Sequence, residues 1–212
     1  MKTDALLIEH LSAICAEVGL FQMQHFRTVS SDSISDKGLN QLVSFVDIES
    51  EKMLVNGLRR LRPDAGFITE ENTAPDSMQS AVMWIIDPLD GTTNYLHGLQ
   101  VFCISVALME DNEITAGVVH CPAMNETFTT FKGGGSFLNG NRFMVSKVNS
   151  LKSSLIATGF PYYEFQKTEP YLRLLGDLMR STHGLRRMGS AAIDLAYTAC
   201  GSFDGFYEMG LN

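Results

Sequence analysis

The stretch Trp84-Ile85-Ile86-Asp87-Pro88-Leu89-Asp90-Gly91-Thr92-Thr93-Asn94-Tyr95 constrains this chain more than any other. Val82, Trp84, Ile85 and Ile86 read as a short buried strand that stops abruptly in two carboxylates set around a proline. Carboxylates at the end of a buried strand are costly unless something cationic meets them. The acid pair therefore asks for a metal, and the Gly-Thr-Thr after it, where a helix can begin, asks for an anion.

Around this motif the hydrophobic pattern switches period several times. Leu7, Leu11, Ile14, Val18 and Phe21 predict a long first helix over residues 4–27. The Ser- and Asp-rich stretch from Ser30 to Lys37 is expected to be a polar loop, and a second helix runs from Ile48 to Leu61 with Met53, Leu54 and Leu58 inward. Pro63 to Gly66 reads as a turn and Phe67 to Thr69 as a strand. Phe102–Met109 and Ile114–His120 form a hairpin pattern around Glu110 to Glu113, and Thr127–Phe131 continues a meander. Gly133 to Gly135 lacks the spacing of a phosphate loop and sits between strands, so a hairpin turn is the better reading. Beyond it, Leu155–Thr158 and Phe203–Glu208 predict strands, and Tyr171–Met179 and Ser190–Cys200 predict helices. The expected class is α+β, a layered α/β/α/β sandwich, with a metal-bearing lobe over 1–150 and a second, incomplete α/β lobe over 151–212.

Composition limits what such a fold can serve. The 212 residues carry a formal charge of −8, which argues against a nucleic-acid polymer as the main partner. A small phosphorylated substrate stays compatible, because a bound cation neutralises it locally. Hydrophobic residues make up 45% and mean hydropathy is near zero, as in globular proteins. No uninterrupted apolar run approaches the roughly 20 residues of a membrane span, and the amphipathic N-terminus lacks a signal-peptide core. Cys15, Cys103, Cys121 and Cys200 show no pairing motif and read as reduced, buried thiols of a cytoplasmic protein.

The acids recur at the ends of apolar runs. Glu70-Glu71 follows Phe67-Ile68, and Asp47 follows Val43-Ser44-Phe45-Val46. Taken singly, Glu70-Glu71 reads as a solvated loop and Asp47 as a helix N-cap. Together with Asp87 and Asp90 they make an oxygen-rich set suited to a hard divalent cation, to which the Leu89 carbonyl can add a ligand. Gly91, Thr92 and Thr93 offer backbone N–H groups to a phosphate, and the Thr92 hydroxyl can position a water.

Asp47, Glu70-Glu71 and Asp87-Pro88-Leu89-Asp90-Gly91-Thr92, in this order, resemble the signature of the inositol monophosphatase family of magnesium-dependent, lithium-sensitive phosphatases. Trp84, Thr93-Asn94-Tyr95, Gly189-Ser190-Ala191-Ala192 and Phe206-Tyr207-Glu208-Met209-Gly210 extend the resemblance across the chain. It implies a first Mg2+ held by Glu70, Asp87 and the Leu89 carbonyl, with Asp87 and Asp90 sharing in a second. It implies a water activated by Glu70 and Thr92 with Asp47 in support, and a phosphate on the Gly91 and Thr92 amides. It places Gly189, Ser190, Ala191 and Glu208 around the alcohol half of a small polyol phosphate. The family also has a Trp-Asp pair shortly after the Tyr-Glu-Met-Gly segment; the sequence reaches Leu211-Asn212 before it, so a weakened second cation site is expected. A homodimer is expected by resemblance only. A 3′(2′),5′-bisphosphate nucleotidase and a non-catalytic magnesium-binding regulator are the alternatives.

The remaining candidates have plainer readings. His97, His120 and His183 lack ligand spacing and read as structural or surface residues. Arg186-Arg187 reads as a solvated strand end rather than a second phosphate site, and Lys37 is left open as a residue beside the site.

Overall fold

A computed structural model describes residues 2–28, 34–38, 41–74, 80–161 and 165–211; for 2–4, 34–38 and 41–43 it describes the backbone alone. The chain builds α1 (Lys2–His25), β1 (Ile34–Gly38), β2 (Gln41–Ser44), α2 (Phe45–Leu61), β3 (Gly66–Thr69), β4 (Val82–Asp90) and α3 (Thr92–Leu96). A meander follows: β5 (Cys103–Glu110), β6 (Glu113–Cys121), β7 (Glu126–Phe131), β8 (Gly135–Leu138) and β9 (Asn141–Arg142). Then come β10 (Leu155–Thr158), α4 (Thr168–Ser181), β11 (Gly184–Arg186), α5 (Ala191–Ala199) and β12 (Gly205–Tyr207).

Strands β3 to β9 form one sheet in sequence order, parallel between β3 and β4 and antiparallel from β4 onward. On one face lie α1 and α2, whose Leu11, Cys15, Val18, Leu54 and Leu58 pack on Trp84, Ile86, Ile104, Val106 and Val118. The opposite face receives α5, where Ile193 and Ala196 meet Cys103, Cys121 and Phe128. Beyond α5, β11, β10 and β12 form a second, parallel sheet in that order, and α4 packs against β11. The layering is the α+β sandwich expected from the sequence.

Several local expectations need correction. The polar stretch before Lys37 is not simply a loop: residues 34–38 pair antiparallel with 41–44 as a hairpin. Its alternation is hidden in the sequence because serine and aspartate mask a strand that propensity alone disfavours. The side chain of Lys37 lies outside those described. The second helix begins at Phe45 rather than Ile48, so the apolar run splits: Val43-Ser44 ends β2, while Phe45-Val46 opens α2. Helix α1 buries Leu11 and Val18 as expected, with Cys15 and Gln22 fully buried in place of Ile14 and Phe21. By length and apolar content Ala5–His25 could cross a membrane, yet the helix packs on α2, β6 and β7.

Strand β4 solves the placement problem posed by its own sequence. Asp87 pairs with Ser105 and Asp90 with Cys103, so three steps along β4 oppose two along β5. The added residue is a bulge, and it falls where Pro88 has no N–H to give the ladder. In a regular strand residues three apart face opposite ways; the bulge brings both acids out on the same side.

Candidate active site

Each acid is delivered by a different local device. Ser44 is the N-cap of α2, with extended backbone at φ −121° and ψ 171°, and its hydroxyl accepts from the Val46 N–H. Asp47 is therefore the third helical residue, not the cap. Its Oδ2 accepts from the Ser44 N–H at 2.9 Å and the Ser44 hydroxyl at 2.7 Å, a capping box that pins the carboxylate. The other oxygen, Oδ1, accepts from the Thr92 hydroxyl at 2.9 Å, 45 residues away. That hydroxyl also lies 3.0 Å from the Leu89 carbonyl. One proton serves one acceptor at a time, so the Thr92 lone pairs stay available to an incoming donor. Burial raises the Asp47 carboxyl above the ordinary carboxylate range, while the Ser44 and Thr92 bonds pull it back.

Glu70 follows β3 directly, and the β3–β4 register sets Thr69 beside Ile86, so Glu70 enters next to Asp87. Asp87 is held well above its usual range by burial first, then by the charges of Asp90 and Glu70 and a hydrogen bond to Glu70. The Leu89 N–H donates to Asp87 Oδ1 at 3.1 Å, curling the loop around the acid. Gly91 then turns the chain with φ +96°, and an added Cβ would stand 2.9 Å from the Val101 carbonyl. Only glycine fits there, and α3 starts at the next residue.

Asp90 takes a second role that the sequence reading did not assign. Its Oδ2 accepts from the Ser190 hydroxyl and the Ala192 N–H, both at 2.7 Å, at the N-terminus of α5. Burial raises its carboxyl, and Ser190, Ala192, Ala191 and then Arg187 oppose that rise. Asp90 thus docks α5 onto β4 while facing Asp87. Ser190 and Ala191 meet Asp90, and Gly189 lies against Asn94. Asn94 joins them, donating to the carbonyls of Val101 at 2.7 Å and Met188 at 2.9 Å.

Glu208 closes the far side. Its carboxyl carbon would stand 1.9 Å from a Cβ on Gly159, so the acid lies directly on that glycine. Burial raises Glu208, Arg187 lowers it and Asp90 raises it again. Arg187, though exposed, is more than a solvated strand end: its guanidinium sits 5.1 Å from the Phe160 ring centre and acts on Asp90, Asp194 and Glu208. Arg186 does remain exposed, bonded to the Leu185 carbonyl. His120 is structural, sharing a 2.9 Å bond with Thr127.

Three functional neighbours escaped the sequence reading. Gln22 on α1 is fully buried and donates to the Pro88 carbonyl at 2.7 Å and the Ser50 hydroxyl at 3.2 Å. Glu51 on α2 is fully buried as well. Asp194 on α5 is 2% exposed, and its Oδ1 has no partner among the described residues. Their only sequence signal is a polar residue on the apolar face of a helix. Burial, then the charges of Glu208 and Asp90, push the Asp194 carboxyl up to about 7, against the pull of Arg187. With the folded value raised above the unfolded one, the associated stability is present below about pH 4 and lost as pH rises to about 7. Asp194→Asn should therefore raise the melting temperature above pH 7 and leave it unchanged near pH 4. The gain at high pH is bounded at about 4 kcal/mol. Thermal melts of the metal-free protein across that range check it.

Among the described residues no three His, Cys, Asp or Glu side chains converge as a ready metal cluster. The donor set is mixed instead: Glu70 and Asp87 side by side, Asp90 partly engaged by α5, and the Leu89 main-chain oxygen. All are hard oxygen donors, and the mutual repulsion that lifts Asp87 is what a divalent cation would relieve. The residues present fit such an ion.

Comparison with known proteins places the chain in a family. Residues 5–212 match the sequence pattern of the inositol monophosphatase family. An inositol-1-monophosphatase of Mesorhizobium japonicum is 42% identical over 212 residues, all of this chain and 79% of that protein. The Nus factor SuhB of Escherichia coli is 38% identical over 188 residues, 89% of this chain and 70% of that one. Among solved structures, the extragenic suppressor protein SuhB of Bartonella henselae superposes with a TM-score of 0.92 at 37% identity, covering 98% of this chain and 80% of its own. An IMPase of Thermotoga maritima gives 0.86 at 33%, covering 100% and 78%. The chain belongs to the inositol monophosphatase family.

Proposed function

We propose that this phosphatase of the inositol monophosphatase superfamily is a magnesium-dependent phosphomonoesterase acting on inositol monophosphate or a similar small polyol phosphate. The observation that carries the reading is the Thr92 hydroxyl, set between Asp47 Oδ1 and the Leu89 carbonyl beside the Glu70–Asp87 pair. Glu70, Asp87, Asp90 and the Leu89 carbonyl would hold the cation. When bound it supplies Lewis-acid chemistry, favouring ionisation of water near neutral pH and offsetting phosphate charge.

The protein's own groups supply the rest. Thr92, donating to Asp47, presents lone pairs that accept a hydrogen bond from a water and so orient it. Glu70 accepts a proton from that water, and Asp47 keeps the Thr92 hydroxyl from rotating away. The Gly91 and Thr92 N–H groups, at the start of α3, would donate to the phosphate. On the alcohol side Glu208 accepts from the hydroxyls of a polyol, which a carboxylate on a glycine floor can approach closely. The charge of −8 favours a small substrate over a nucleic-acid polymer. Family resemblance supports a cytoplasmic homodimer, which sedimentation would check.

The test compares phosphate release from inositol 1-phosphate and from adenosine 3′,5′-bisphosphate at graded Mg2+. Preference for the bisphosphate would make the nucleotidase the better assignment. Thr92→Val keeps the shape and removes the hydroxyl. It should lower kcat on the order of 10²-fold with little change in KM, as for loss of a group that acts in the transition state. Relatives named as Nus factors keep the non-catalytic regulator as a second reading. Magnesium binding without phosphate release from either substrate would favour it.

A further inference from the structure

Helix α2 carries a second buried acid that the chemistry above leaves unused. Glu51 lies one turn beyond Asp47 and is 0% exposed. Its Oε2 accepts from the Glu71 N–H at 2.7 Å, and its Oε1 accepts from the Thr73 N–H at 2.8 Å. The two oxygens thus grip alternate peptide groups of the turn that leaves β3. Between them Asn72 takes a left-handed conformation, φ +55°, so the turn is tight and is held at both shoulders. A carboxylate buried without a partner is strongly disfavoured, whereas one accepting two backbone N–H groups makes strong, directional bonds.

The gripped peptide joins Glu70 to Glu71. Displacing the turn would therefore move Glu70 relative to Asp87, which sits on β4 and is anchored separately through Gln22 and Pro88. The two acids come from different strands, and β3 contributes only four residues of pairing before Glu70 departs. Past that ladder, Glu51 holds the backbone in place through the N–H groups of Glu71 and Thr73.

We propose that Glu51 is a positioning residue for the cation site, holding Glu70 beside Asp87 through the peptide N–H groups of Glu71 and Thr73. This rests on the reading of Glu70 and Asp87 as cation ligands. It predicts that Glu51 sets cation affinity, not merely stability. The side chain touches neither substrate nor cation; it acts through the backbone of the turn.

The full-length chain without substrate is titrated with Tb3+, its luminescence excited through Trp84, three residues before Asp87 and the sole tryptophan. Mg2+ competition then gives the affinity for magnesium. Glu51→Gln is isosteric but has one acceptor oxygen in place of two. Its half-saturation should rise on the order of ten-fold or more, as when the support of a metal ligand is removed. Glu51→Asp, shorter by one methylene, should show a smaller rise in the same direction. Leu54→Ala, a buried position on the same helix, is the control: it should lower the melting temperature and leave half-saturation unchanged. If Glu51→Gln does not fold, Glu51→Asp decides by the same criterion. Half-saturation within about two-fold of wild type in a folded variant, or a rise matched by Leu54→Ala, overturns the proposal. Absence of cation binding by the wild type overturns the ligand reading itself, and this inference with it.

Discussion

Replacing Asp87 by Asn should abolish turnover while making the metal-free protein more stable. The two effects share a cause. Burial, with Asp90 and Glu70 close by, lifts the Asp87 carboxyl well above its ordinary range, so ionising it in the folded state is disfavoured. The raised folded value means stability present at acid pH is lost as pH climbs. Asn has nearly the same shape and no charge. Metal-free Asp87→Asn should therefore melt higher than wild type near pH 8, and the difference should vanish toward pH 4. Activity moves the other way, because the amide is a poor ligand for a hard cation. A loss of about 10³-fold or more in kcat/KM is expected. Magnesium should stabilise the wild type by about 2.7 kcal/mol at a hundred times its dissociation constant, and the variant hardly at all. Melts with and without Mg2+, beside phosphate release, give both signs. A variant less stable than wild type at pH 8, or one retaining turnover, would show that Asp87 is a structural acid.

This conflict between stability and chemistry is also why the central motif could be read from sequence. Asp87, Pro88, Leu89, Asp90, Gly91 and Thr92 are contiguous, and each has a local reason to be there: a bulge, a missing N–H, a positive φ, a helix start. A contiguous conflict is visible without any tertiary knowledge. Glu51, Gln22 and Asp194 were not visible, because a polar residue on a helix reads equally well as solvated. What makes them functional is a partner 20 to 66 residues away for Glu51 and Gln22, and the surrounding charges for Asp194. The partners of Arg187 were hidden for the same reason: its acidic neighbours come from β4, α5 and the end of β12, which only the fold assembles. The Ser44 cap shows the finer limit. Asp47 was recognised, but a cap and the third helical residue both suit aspartate, and only the backbone angles of Ser44 separate them. The layering was legible because period switches in the apolar pattern are long-lived along the chain. The β1–β2 hairpin was not, because its short strands carry little apolar signal.

Asp90 should behave unlike Asp87 although the two share a loop. Its Oδ2 is already occupied by Ser190 and Ala192 at the head of α5, so removing the side chain strips a cap from that helix and a tie between it and β4. Asp90→Ala is expected to cost about 2–3 kcal/mol, the range for hydrogen bonds to a charged group together with loss of a helix cap. Asp90→Asn keeps an oxygen that can accept from both donors, so it should fall within about 1 kcal/mol of wild type. Turnover should separate from stability in this pair. Both variants lose the second carboxylate facing Asp87 and should drop on the order of 10²-fold or more in kcat/KM at fixed Mg2+. Denaturant melts read the first difference, and phosphate release reads the second. Equal stability of the two variants would mean that α5 is held by its apolar contacts with Cys103 and Cys121 alone. Near-wild-type turnover in Asp90→Asn would mean that this carboxylate serves the fold and not the chemistry. The expected pattern, a stable but inactive amide beside an unstable and inactive alanine, assigns one side chain to both tasks.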